Sequence, residues 1–238
     1  MAIYEGSDHE NLGLVRIQGQ RVSLSGGSYR AYDDGDIVFD PEARKAALLI
    51  LVSGWAVSCK SLPNGTRVIL EFILPGDIIW TPSVAIAREM IEAISPTQFY
   101  ELSGMTLARY LDSTTGQDIV MAEMMRCHAR MSERLANVGR RDALARTGHL
   151  LLELAARIGP DRKRPGMDGF QCPLTQSDIG DAVGLSTVHI NRVLKDLRVN
   201  GLVSFRNGIV EFLNRRKLEE LVEFDDSYLA TQPQIIPR

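Results

Sequence analysis

The pattern of apolar and polar positions changes period twice along this chain. Between residues 29 and 103 the apolar residues fall in short runs of strand length, separated by turn signals. Residues 29–39 carry an Asp34-Gly35 turn between two strand-like runs. Residues 47–52, 54–60 and 67–74 follow, with Pro63-Asn64-Gly65 and Pro75-Gly76-Asp77 as turns. This order predicts a β meander, and residues 90–102 supply the last strands of a compact barrel or roll. From 114 to 138 the period becomes helical. Met121, Met124, His128, Met131, Leu135 and Val138 recur at alternating spacings of three and four, the a/d seam of a coiled coil. Arg126, Arg130, Glu133 and Arg134 lie off that seam. The stripe fits either pairing with another helix or packing on its own domain. Residues 143–158 carry a further helical pattern, with Leu150, Leu151, Leu154 and Ile158 inward.

The most specific signal lies at residues 174–195. Thr175 and Asp178 have the spacing of a capping box, which predicts a helix starting there and running to about Val183, with Ile179 and Val183 inward. Gly184 suits the left-handed residue that ends it, and Leu185 plugs the core beneath. Ser186 caps a second helix, on which Ile190, Val193, Leu194 and Leu197 share one face. The opposite face carries Val188, Asn191, Arg192 and Lys195. Two short helices around a glycine turn make a helix-turn-helix, whose second helix can enter a DNA major groove. There Arg192 suits guanine, Asn191 adenine, Val188 a thymine methyl and Lys195 phosphate. An ordinary amphipathic helix pair with a solvated face would share this spacing. The flanks favour the DNA reading: a short strand at 170–173, and two strands around Asn207-Gly208 over 201–212. Together these make a winged helix-turn-helix with Arg206 near the wing tip.

This pattern, Thr-x-x-Asp-Ile-Gly-x-x-Val-Gly-Leu-Ser followed by Asn-Arg-Val-Leu-Lys and a wing, resembles the Crp/Fnr superfamily of bacterial transcription regulators. The likeness is tight over residues 174–212. It is looser in the front half, where Gly35-Asp36-Ile37-Val38-Phe39, 51–54, Asn64-Gly65, 72–77 and 101–103 are similar to the family's β-roll. The resemblance implies an α+β fold: an N-terminal antiparallel β-roll that is cyclic-nucleotide-binding-like (1–112), a long dimerisation helix (113–139), a C-terminal winged helix-turn-helix (140–217), and a helix end with a loosely ordered tail (218–238). It places Thr187, Val188, Asn191 and Arg192 at base-reading and phosphate-contacting positions. The full set of candidate DNA contacts is Thr175, Ser186, Thr187, Val188, His189, Asn191, Arg192, Lys195 and Arg206. Val188 departs from the glutamate of the best-known members, so their operator sequence does not transfer.

Members that bind cyclic AMP follow Pro-Gly with a Gly-Glu pair and later an Arg-Ser/Thr. Here the segment from Pro75 is shortened, lacks that pair, and sets Glu89 beside its one arginine, Arg88. A phosphate next to Glu89 is repelled. Met131-Ser132 leaves one hydroxyl where the family contacts the purine. No cofactor is therefore expected. Three cysteines (Cys59, Cys127, Cys172) are too few for a four-cysteine iron–sulfur sensor, and nothing in their placement argues for haem, zinc or a disulfide framework. They read as small buried residues. Trp80 reads as a core plug near the roll's pocket.

Charge refines the division. The 238 residues carry a net −3, but residues 139–217 hold 14 Lys and Arg against 8 Asp and Glu, while 1–138 hold 12 against 17. A basic unit beside an acidic one suits local DNA contact. No run approaches the 18 apolar residues of a membrane span and no leader pattern is seen, so a cytoplasmic protein is expected. The four histidines, at 9, 128, 149 and 189, have no catalytic partner at diagnostic spacing, so no enzyme is expected. The sequence thus reads as a transcription regulator that binds a palindromic operator in double-stranded DNA as a homodimer, without cyclic AMP, and works with RNA polymerase. The alternative is a ligand-gated regulator whose β-roll binds an unidentified small molecule or cyclic nucleotide.

Overall fold

A computed structural model of the protein describes residues 12–17, 20–43, 45–159 and 166–229. His9, most of the charged loop after Gly159 and the tail beyond Leu229 lie outside the described residues. The chain begins with a hairpin of β1 (Leu12–Ile17) and β2 (Gln20–Ser25). Then come β3 (Ser28–Tyr32), β4 (Ile37–Phe39), a 3-10 turn at Pro41–Ala43, β5 (Ala47–Ser53), β6 (Ala56–Ser61), β7 (Arg67–Ile73) and β8 (Ile78–Trp80). A short helix, α1 (Thr81–Ala87), precedes β9 (Met90–Ala93) and β10 (Thr97–Ser103).

Strands β3 to β10 form two four-stranded antiparallel sheets, ordered β3-β10-β5-β8 and β4-β9-β6-β7. The meander expectation needs correction. β6 and β7 pair as a hairpin, but β5 and β6 lie in different sheets. Gly54 turns the chain between them at φ 83, where a Cβ would sit 2.2 Å from the Pro96 carbonyl oxygen. β5 is buried along most of its length because both its faces are covered. Leu49 and Leu51 pack between the sheets with Ile73, Ile91 and Phe99. Leu48 and Ile50 face the other way, into Tyr100, Leu102 and Leu107. A strand buried on both faces loses the period of two, so its sequence alone does not say which sheet it joins.

Behind the roll run α2 (Gly104–Leu111) and α3 (Thr114–Arg140), the latter 27 residues long and capped by Ser113. Asp142 caps α4 (Ala143–Ile158). Leu150, Leu151 and Leu154 are buried as expected, but Ile158 is 38% exposed, because it sits in the last turn beyond the core. β11 (Gly169–Gln171), α5 (Gln176–Val183), α6 (Thr187–Val199), β12 (Val203–Arg206), β13 (Ile209–Phe212) and α7 (Arg215–Val222) complete an α+β molecule. Its third sheet is ordered β11-β13-β12. The segment after α7 is not loose up to Leu229. Phe224 meets the His149 ring edge-on at 5.0 Å, and the Tyr228 hydroxyl donates to Glu153 at 2.8 Å.

The C-terminal unit is packed onto the roll. One apolar cluster joins Val57, Ile69 and Phe72 of the roll to Leu151, Leu154 and Phe170 of the C-terminal unit. Trp55 stacks on Phe170 with ring planes 12° apart. Ion pairs border the apolar contact. Arg157 on α4 donates to Glu71 (2.9 Å), Asp77 (2.6 Å) and the Phe72 carbonyl (2.8 Å). Arg67 on β7 pairs with Glu92, Asp181 (3.0 Å) and Asp178. Among the described residues no helix is long and apolar enough to cross a membrane.

Candidate nucleic-acid interface

The helix pair forms as its sequence dictates. The Thr175 hydroxyl accepts from Asp178 N–H at 3.1 Å while the Asp178 carboxylate accepts from Thr175 N–H at 2.8 Å, closing the capping box. Gly184 is left-handed at φ 71, and Leu185 N–H donates to the Gly180 carbonyl at 3.0 Å. Gly180 lets the turn come that close, since a Cβ there would lie 2.5 Å from the Leu185 oxygen. Ser186 accepts from His189 N–H at 3.3 Å and starts α6.

On α6, Ile190, Val193 and Leu197 are buried and Leu194 is half-buried. Thr187, Val188, His189, Asn191, Arg192 and Lys195 are all exposed, and Val188 keeps 65% of its surface open. Thr175 and Ser186 are exposed at the two helix starts, with their hydroxyls already engaged in capping. Arg206 is exposed where β12 enters the wing turn, and Asn207 and Gly208 hold the positive φ (52° and 70°) of a tight hairpin. The nine candidate DNA contacts therefore lie on exposed positions of two helix starts, one helix face and one hairpin.

Helix α3 is patterned opposite to a core helix. Met121, Met124, His128 and Leu135 of the expected seam are exposed, and Met131 and Val138 are half-buried. Met121 and Leu135 keep 54% and 76% of their surface open. The buried positions are charged or polar: Glu123, Arg126, Arg130 and Asn137. The apolar stripe thus does not pack on its own domain as a unit. Met131 and Val138 are its half-buried members, and Val138 lies beside Gly184, where a Cβ would touch it at 3.8 Å.

Between the roll and α3 lies a cavity of about 200 Å³. Ile73, Ile79, Trp80, Val84 and Ile91 form its apolar wall, so Trp80 is a half-buried cavity residue rather than a core plug. Helix α3 meets it through Glu123, Met124, Cys127 and Arg130. Ser132, expected near a purine, is exposed and not in the lining, because the helix turns it away. Cys127 is exposed, unlike buried Cys59 and Cys172, so the expectation of three buried cysteines fails at one. Arg88 caps α1 in a left-handed conformation and reaches outward to Glu42 at 3.4 Å, whereas Glu89 lines the cavity.

The charges at the cavity form one network. Arg130 bridges Glu71 (2.9 Å) and Glu123 (3.0 Å), and Arg126 holds Glu123 at 2.9 Å. Burial alone would push the Glu71 carboxyl up, but Arg130, Arg157 and Arg134 outweigh it and hold it down at about 2. Burial prevails at Glu123, whose carboxyl is raised despite Arg130. Although Cys127 as a residue is exposed, its thiol lines the cavity, and desolvation there together with Glu71 pushes it up to about 11. His149, beneath the domain contact, is lowered by burial and by Arg141. Among the described residues no group of His, Cys, Asp and Glu is placed to hold a metal.

Residues 145–221 match the Crp-like helix-turn-helix domain. A curated relative is the nitrogen fixation regulation protein FixK of Azorhizobium caulinodans, 27% identical over 70% of this chain and 67% of the relative. The cAMP-activated global transcriptional regulator CRP of Pasteurella multocida is 26% identical over 66% of this chain and 76% of its own. The solved structure of FixK2 from Bradyrhizobium japonicum shares the fold. Its TM-score is 0.70, with 22% identity over 82% of this chain and 97% of that one.

Residues 145–221 thus form a Crp-like helix-turn-helix domain, and the relatives and the shared fold support the Crp/Fnr superfamily. These likenesses support a transcription regulator of the Crp/Fnr type. No sequence motif marks the cavity network. One signal was available: Glu71 interrupts the otherwise apolar run 68–74, and a carboxylate in a buried strand demands a partner. Nothing in the sequence pointed to Arg130 and Arg157 as the partners, since they come from two distant segments.

Proposed function

We propose that this Crp/Fnr regulator binds a palindromic operator as a homodimer paired along α3, with α6 in the major groove and without cyclic AMP. The observation that carries the reading is the inverted patterning of α3, charged toward its own roll and apolar toward the outside. A two-fold pair along that face buries Met121, Met124 and Leu135 and presents two α6 helices to one duplex. Symmetric half-sites follow from symmetric protein. On α6, Arg192, Asn191 and Val188 are the base readers, and Lys195 with Arg206 hold phosphate. RNA polymerase is the further partner through which such a regulator acts.

The cavity supports independence from cyclic AMP. Arg88 points away from it, Arg130 is committed to two carboxylates, and Glu89 stands where an anion would have to sit. The test is selection from a random DNA pool by purified full-length protein, with and without cyclic AMP. The expected result is one palindromic motif in both arms. Enrichment only with cyclic AMP, or an asymmetric single half-site, overturns the reading.

A further inference from the structure

The cavity beneath α3 holds more negative charge than its own arginines neutralise. Four carboxylates line it: Glu71, Asp77, Glu89 and Glu123. Arg157 and Arg130 take Glu71, Arg157 takes Asp77, and Arg126 with Arg130 take Glu123. Glu89 has a different environment. Its Oε2 accepts from the Ser58 hydroxyl at 2.5 Å, and no Lys or Arg among the described residues pairs with it. Arg88, its neighbour in sequence, is turned outward to Glu42. Apart from Ser83 and Cys127 the rest of the wall is apolar, and it includes the side chain of Trp80.

A partly open, largely apolar space with one carboxylate left over selects by charge and by size. A phosphate or carboxylate ligand meets repulsion at Glu89 and finds no free arginine. A neutral apolar molecule leaves Glu89 uncompensated as it strips water from the cavity. A compact apolar body carrying one ammonium satisfies both the wall and the carboxylate. The volume of about 200 Å³ lies below the roughly 300–1,000 Å³ that drug-sized ligands occupy, so the body is small.

We propose that this cavity binds a small apolar monoamine, with its ammonium on Glu89 and its carbon skeleton against Ile79, Trp80 and Ile91. The proposal rests on the ligand-gated side of the regulator reading by naming the ligand class. Its test uses no DNA, so either reading can fail alone.

The chain has two tryptophans, and Trp55 lies at the domain contact rather than in the cavity. A Trp55→Phe protein therefore reports the cavity through Trp80 alone. The probes are phenethylamine, its neutral counterpart 2-phenylethanol, and phenylacetate. The expected result is a saturable change in Trp80 fluorescence with phenethylamine, about tenfold tighter than with the alcohol, and weakest binding of phenylacetate. In Glu89→Gln, which keeps an acceptor for Ser58, the preference for the amine is lost. Calorimetric titration of the unaltered protein gives the same order if Trp55→Phe does not fold. Equal affinity for amine and alcohol, tighter binding of phenylacetate, an unchanged preference in Glu89→Gln, or no saturable binding at millimolar amine overturns the proposal.

Discussion

Replacing Arg157 with Met tests whether buried charge holds the two domains together. The Arg157 side chain keeps only 8% of its surface open and spends its guanidinium on the roll, at Glu71 (2.9 Å), the Phe72 carbonyl (2.8 Å) and Asp77 (2.6 Å). Methionine keeps the apolar stem and removes all three donors. Removing one partner of a buried pair costs about 3–5 kcal/mol. Two facts favour the lower end: Glu71 retains Arg130 at 2.9 Å, and the Asp77 side chain keeps 20% of its surface in water. Holding the Glu71 carboxyl at about 2 rather than 4.5 corresponds to about 3 kcal/mol in all, of which Arg157 supplies only a share beside Arg130 and Arg134, so its bonds to Asp77 and the Phe72 carbonyl must carry the rest.

The loss is therefore expected at about 3 kcal/mol at pH 7, read by urea unfolding with far-ultraviolet circular dichroism and Trp fluorescence. Its pH dependence has a defined sign. Glu71 titrates lower in the folded protein than in the unfolded chain, so its contribution is present above pH 4.5 and is lost as pH falls toward 2. In Arg157→Met the carboxyl moves back up, so the gap between the two proteins narrows below pH 4.5. A loss under about 1 kcal/mol, or a gap that widens on acidification, refutes the argument.

Arg192→Ala is expected to cost about 1–3 kcal/mol in operator affinity and to relax one base position per half-site, read by binding to a panel of single-base variants. Lys195→Ala is expected to weaken all sequences alike and to flatten the slope of log affinity against log salt by about 1. A changed base preference would instead make Lys195 a base reader. Leu135→Glu, at a position 76% exposed in the single chain, is expected to shift light-scattering mass from dimer to monomer while leaving helix content unchanged. Asp178→Ala is expected to lose about 1 kcal/mol of capping in addition to its ion pair with Arg67. Asp178→Asn keeps a capping oxygen and loses only the charge, so equal losses in the two would contradict this division.

Local chemistry was legible wherever the chain's nearest neighbours decide the backbone. The capping box at Thr175, the turn at Gly184, the cap at Ser186 and the Asn207-Gly208 hairpin each depend on a few consecutive residues, and each stands where the sequence placed it. The exposed face of α6 follows from the same local period. The apolar stripe of α3 was legible too, though which way it faces was not. Helix α1 was missed because Trp80 at its cap offers no side-chain acceptor, although Pro82 in its first turn was an available signal.

What the sequence determined by itself, then, is the DNA-reading helix pair and its wing, because hydrogen bonds over three or four residues specify them. Tertiary structure decided the exchange of β5 and β6 between sheets, the outward turn of Arg88, and the sharing of Glu71 between Arg130 and Arg157. A strand buried on both faces carries no period to assign it. Likewise, a buried carboxylate announces that it needs a cation without saying which. Segments 59 and 86 residues away supplied the two that hold Glu71, and only the packing of α3 and α4 against β7 brings them there.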